Sequence, residues 1–168
     1  NSIYDSMVDF AKYAFNKSHA AAYAKISVQT AWLKNYYPVE FMAALMTSVI
    51  DNSAKAAQYL YSCRDMGIKV LPPDINCGQG EFTAEGDHVR YGMYAIKSLG
   101  RPVIDQIIEE RERGGRYRTL SDFIERTCQK ELINKRAIEN LIKAGACDSL
   151  DGTRKQMAMV YASIVDSC

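Results

Sequence analysis

A chain of 168 residues can hold one good core or two small units, and 48% hydrophobic with 24% charged residues is too apolar for disorder. The formal net charge of +1 speaks against a general polyanion binder, yet residues 95–145 carry 11 Lys and Arg against 8 Asp and Glu, which favours a local phosphate-facing surface. Five cysteines with no C-x-x-C pair argue against a disulfide scaffold or a zinc site, and the longest apolar run, residues 41–50, is about half of a membrane span. With no signal peptide in view, the composition predicts a reduced cytoplasmic protein that does not contact a membrane.

In chain order, Ile3, Met7, Ala11 and Ala14 recur at helical spacing, and Asn16-Lys17-Ser18 breaks the run. Ser18 is the expected N-cap of a second helix over about 19–36, with an apolar stripe of Ala24, Val28, Ala31 and Trp32. Pro38 suits the first turn of a third helix, and residues 51–53 supply the cap of a fourth that Gly67 ends. Residues 68–71 read as a short strand, and 81–83 with 88–91 as a hairpin around Glu85-Gly86-Asp87. The rest is helical with an internal echo: Val103-Ile104 then Ile107-Ile108 matches Ala137-Ile138 then Leu141-Ile142. The predicted fold is mainly α, with two helical lobes around a minor β element.

Three clusters bear on function. Gly100-Arg101-Pro102 sits between helices: a glycine with positive φ would let a phosphate approach, the next helix would offer free N–H groups, and Lys97 and Arg101 would add charge. The bland alternative is an ordinary helix–helix turn. The run Arg111 to Arg118 around Gly114-Gly115 can grip a backbone through Arg116 and Arg118, or pair its arginines with Glu109 and Glu112 on a solvated helix end. Asn134-Lys135-Arg136 opens a later helix and can play the same phosphate role. Lys17, His19 and Tyr23 can line one side of a triphosphate, although a capped turn accounts for them as well. Two histidines outside any Ser-His-Asp or Cys-His pattern, unclustered carboxylates and no Walker-type loop leave no expected catalytic centre.

Several longer strings go further. Tyr13-Ala14-Phe15-Asn16-Lys17-Ser18-His19-Ala20-Ala21-Ala22-Tyr23, Tyr37-Pro38-Val39-Glu40-Phe41-Met42, Val70-Leu71-Pro72-Pro73-Asp74-Ile75-Asn76 and Leu141-Ile142-Lys143-Ala144-Gly145-Ala146 stand in an order and spacing that resemble the alpha subunits of bacterial DNA polymerase III, the C-family replicative polymerases. The resemblance covers nearly the whole chain. It implies a fragment with helical fingers over 1–67, a β-containing connector over 68–93, a helix-hairpin-helix region over 94–150 and a helix over 151–168 leading toward a sliding-clamp-binding segment. Asn16, Lys17, Ser18, His19 and Tyr23 would then lie near the incoming deoxynucleoside triphosphate. Lys97, Ser98, Gly100 and Arg101 would hold primer–template DNA at the first hairpin, and Lys135, Arg136, Lys143 and Gly145 at the second. The resemblance also implies Mg²⁺ in a palm outside this fragment, which alone should not polymerise, and contact with the remainder of the polymerase chain. Two other readings are a free-standing helix-hairpin-helix DNA-binding module and a helical protein-interaction domain, the latter requiring a large exposed apolar patch.

Overall fold

The computed structural model describes residues 2–12, 17–128 and 133–167, and the chain divides into two compact units at Pro38. The first unit contains α1 (Ser2–Lys12) and α2 (Lys17–Tyr36). Because α2 starts at Lys17, Ser18 lies in its first turn and is not the predicted N-cap. Nothing on α2 is buried: Val28 is 69% and Trp32 51% exposed, so the predicted apolar stripe faces outward. Side chains four residues apart stack along it, His19 on Tyr23 at 4.3 Å and Trp32 on Tyr36 at 5.0 Å between ring centroids.

The second unit opens with α3 (Pro38–Ser48), whose first residue is the proline that the sequence placed there. Asn52 caps α4 (Ser53–Asp65) by accepting from the Lys55 N–H at 3.1 Å. Three short strands follow, β1 (Lys69–Leu71), β2 (Thr83–Glu85) and β3 (His88–Arg90), in the order β1-β3-β2. The predicted hairpin is present, but its first strand lies at 83–85 and not 81–83: Glu85 pairs with His88 in the ladder, and only Gly86-Asp87 form the turn. β1 adds on the other side of β3 in parallel, Val70 opposite Val89. Met42, Met46, Cys63, Ile68, Phe82 and Val89 form a first core between these strands and helices.

A second core belongs to the helices beyond the sheet: α5 (Arg101–Gly114), α6 (Leu120–Cys128), α7 (Lys135–Ala144) and α8 (Arg154–Asp166). Ile104 and Ile107 of α5 and Ile138 and Leu141 of α7 are fully buried in it with Tyr117 and Phe123. Each such side chain contributes about 1.5–3 kcal/mol when taken out of water. The echo in the sequence is therefore structural. Gly100 and Asn134 are the N-caps of α5 and α7, and the buried residues follow each cap at the same intervals of four and seven.

Polar bonds fasten the loop after β1 to this core. The Asn76 amide donates to the Tyr117 carbonyl (3.0 Å) and Ser149 Oγ (3.1 Å), and its Oδ1 accepts from the Tyr117 N–H (2.8 Å). Asp74 accepts from Ser149 Oγ at 2.9 Å, and the Ile75 N–H donates to the Ala146 carbonyl at 2.9 Å. Asp74 and Asn76 together fasten the loop after β1 to Tyr117 and Ser149.

Candidate nucleic-acid interface

The first candidate site is the approach to α5. A 3₁₀ turn at Met93–Ala95 anchors it through buried Met93, and Lys97, Ser98, Gly100 and Arg101 then emerge on the surface. The backbone differs from the sequence expectation. Gly100 has φ −75° and ψ 146°, ordinary extended geometry, and the left-handed residue is Ser98 at φ 63°. A Cβ at Gly100 would meet only Pro102 Cδ, at 3.6 Å. Neither backbone conformation nor internal packing requires glycine there, which leaves room for something outside the chain to approach.

The opening of α5 is also uncapped. No side chain accepts from its first turn, Pro102 supplies no N–H, and the Val103 N–H turns back to the Gly100 carbonyl at 3.1 Å. The Ile104 N–H also returns to the Gly100 carbonyl, at 3.4 Å, so what this turn offers an anion is the positive end of the helix dipole with the Arg101 N–H, beside the exposed Lys97 and Arg101 side chains. Arg101 bridges Asp51 at 3.0 Å, and its Cζ lies 5.0 Å from the centre of the Tyr94 ring. Tyr94 donates its hydroxyl to Asp105, which is the main reason its phenol titrates above the ordinary tyrosine range.

The second opening, at α7, is capped. Asn134 Oδ1 accepts from the Ala137 N–H at 2.9 Å. Lys135, first in the helix, pairs with Asp166 of α8, and Arg136 is exposed beside it. Lys143 lies on the same helix and bonds Glu139 at 2.5 Å, which raises the lysine and lowers the glutamate. Gly145 takes the left-handed conformation at φ 83°, but it is buried: its N–H donates to the Ile142 carbonyl at 3.0 Å and the Ala146 N–H reaches Leu141 at 2.9 Å. It closes α7, with the Arg154 guanidinium packed where a side chain would go, so an internal role accounts for this glycine.

The arginine run separates into inward and outward members. Arg111 donates to the carbonyls of Ile75 (3.1 Å) and Gly78 (2.7 Å). Arg113 pairs with Glu110 at 2.6 Å, and neither arginine makes the predicted pairing with Glu109 or Glu112. Glu110 is buried and also receives Arg126 at 3.1 Å; Arg126 in turn covers the Tyr117 ring at 4.4 Å. The Arg113 hydrogen bond, with Arg126 behind it, holds the Glu110 carboxyl below the ordinary carboxylate range. Burial among these groups pushes the Tyr117 phenol up to about 12, and its hydroxyl donates to the Ile107 carbonyl at 2.8 Å. Arg116 and Arg118 remain on the surface. The Glu110–Arg126 pairing left only the dispersed residues Glu110, Gly115, Tyr117 and Arg126 as a signal, with no local motif.

Lys17, Ser18, His19 and Tyr23 follow one another from the first turn of α2, all exposed, whereas Asn16 lies outside the described residues. Among the described residues no three His, Cys, Asp or Glu side chains converge as metal ligands, and no helix is long and apolar enough to cross a membrane.

Two helix openings at like positions over one core define the class: a helix-hairpin-helix architecture. The profile of the helix-hairpin-helix motif matches residues 67–157, and the chain belongs to that family. Across nearly its whole length it is also similar to a segment of DNA polymerase III subunit alpha: 47% identity over 167 residues in Saccharopolyspora erythraea, 45% over 158 in Thermus aquaticus and 47% over 166 in Vibrio cholerae. These matches take in 99%, 94% and 98% of this chain, which spans only 13–14% of the relatives' length.

Proposed function

We propose that this chain is the part of a bacterial DNA-directed DNA polymerase that holds primer–template duplex by its phosphates. The observation that carries this is the opening of α5. There an uncapped helix start, an exposed glycine that the fold does not require, and Lys97 and Arg101 occupy one surface. A phosphate suits that combination because the helix dipole, the Arg101 N–H and side-chain charge all favour an anion, and none of them distinguishes bases. Ser98 belongs to the same surface; Arg116, Arg118, Lys135, Arg136 and Lys143 extend the grip around it. The names of the relatives give the polymerase context.

In that context residues 1–67 act as fingers, with Asn16, Lys17, Ser18, His19 and Tyr23 beside the incoming deoxynucleoside triphosphate. Residues 68–93 connect them to the helix-hairpin-helix region at 94–150. Residues 151–168 lead toward the contact with the sliding clamp. Mg²⁺ and the transfer chemistry belong to the palm of the parent chain, which works in the cytoplasm, and this segment alone does not polymerise. The exposed Val28, Trp32 and Leu33 of α2 supply the apolar face by which the segment packs on the remainder of that polymerase.

Fluorescence anisotropy with labelled primer–templates of two unrelated sequences tests the reading. Dissociation constants within about twofold of each other are expected, since phosphate contacts carry no sequence information. A strong preference for one sequence, or no binding by the folded chain at low salt, would overturn it.

A further inference from the structure

The first helical residues of α5 and α7 share more than their place after the N-cap. Arg101 and Lys135 are the basic side chains nearest the two helix openings, and each is held by an aspartate from outside its own hairpin. Asp51 comes from the joint between α3 and α4, and Asp166 is the last residue of α8. Both pairs are on the surface: Arg101 and Asp51 are 56% and 82% exposed, Lys135 and Asp166 46% and 66%. Arg101 reaches both oxygens of Asp51, at 3.0 and 3.3 Å, through a single nitrogen, and lies over Tyr94. A carboxylate in these positions offers a cation the same anionic oxygens that a DNA phosphate would.

We propose that Asp51 and Asp166 are intramolecular competitors for DNA phosphate, each occupying the cation at one hairpin opening until duplex displaces it. This rests on the reading that the hairpin openings bind DNA. The pairs are weak because both partners are solvated, so the competition moderates affinity and does not block binding. It has two physical consequences. Each cation is held near its helix opening before DNA arrives, and each DNA contact must first break an ion pair. Salt therefore weakens the competing pair along with the DNA contact.

The test measures duplex affinity of the whole 168-residue chain by anisotropy for Asp51→Asn and Asp166→Asn, each alone and in the Arg101→Ala or Lys135→Ala background. Far-ultraviolet circular dichroism confirms folding of every variant; both aspartates are exposed, so the asparagine changes leave the core intact. Each asparagine variant should bind about 1.5- to 5-fold tighter at low salt, the range set by an exposed ion pair. Asp51→Asn should lose that gain when Arg101 is alanine, and Asp166→Asn when Lys135 is alanine. A gain that persists undiminished in those backgrounds would mean only that a negative charge was removed, and would overturn the proposal. So would unchanged affinity in the asparagine variants while Arg101→Ala and Lys135→Ala weaken binding, although DNA binding at the openings would then stand. If neither alanine change alters affinity, both the competition and the underlying DNA reading fall.

Discussion

At the scale of single residues, two glycines separate a functional requirement from a structural one. Gly145 sits at φ 83° with the Arg154 guanidinium against it, so Gly145→Ala should destabilise the fold by at least about 1–2 kcal/mol. Gly100 is extended and open. Alanine is a poorer N-cap by about 0.5–1 kcal/mol, but it reduces the entropy of the unfolded chain by a similar amount, so Gly100→Ala should leave stability nearly unchanged. It should still weaken duplex binding about 5- to 10-fold, through loss of one close phosphate contact. Urea melts beside anisotropy titrations separate the two; a Gly100→Ala chain that binds as before would remove this glycine from the interface. Glu110 makes a prediction in pH. Its carboxyl is lowered in the folded state, chiefly by Arg113, so its stabilisation is full above the unfolded carboxylate pKa of about 4.3 and is lost as pH falls through the lower, folded value. Glu110→Gln leaves the exposed Arg113 without its counter-charge and Arg126 with Asp122 alone, at 3.5 Å, and should cost about 1–2 kcal/mol at pH 7. The gap between the two proteins should narrow on acidification; urea midpoints equally far apart at pH 7 and pH 3 would contradict it.

At the scale of elements, α2 and α7 stand at opposite ends. α7 buries Ala137, Ile138, Leu141 and Ile142, whereas α2 buries nothing. A 20-residue helix without tertiary cover is marginal in water, so amides of α2 should exchange with solvent nearly unprotected while those of α7 exchange close to the global unfolding limit. Hydrogen exchange followed by mass spectrometry checks this, and equal protection of the two would show that α2 is covered. The same contrast explains what the sequence disclosed. Pro38, Asn52 and Gly67 fix helix ends through local chemistry, and Gly86-Asp87 fixes a hairpin, so those elements were legible. The parallel pairing of β1 with β3 joins residues 19 apart in three-residue strands, where no local pattern encodes partner or direction. Periodicity revealed the apolar stripe of α2 but not what covers it. At the hairpin, composition located Lys97 to Arg101, yet the left-handed position falls at Ser98, because extended geometry at Gly100 already suffices to start the helix.

At the scale of the whole molecule, a chain with a net charge of +1 has no general attraction for DNA, so binding must come from where its cations stand. Several of its arginines are engaged in the fold: Arg111 on loop carbonyls, Arg113 and Arg126 on Glu110. This leaves a small set of surface cations around the helix openings and implies a modest number of neutralised phosphates. Under the proposed function, such a set would hold duplex through contacts that are independent of sequence.

The most direct test is the salt dependence of duplex binding, measured for the native chain and for a Lys97→Ala, Arg101→Ala double variant. A log–log slope near about −3 is expected for the native chain, corresponding to roughly three phosphates, and a slope shallower by about two for the double variant. Identical slopes in the two proteins would show that the opening of α5 does not touch the DNA backbone, and would contradict the assignment of this surface.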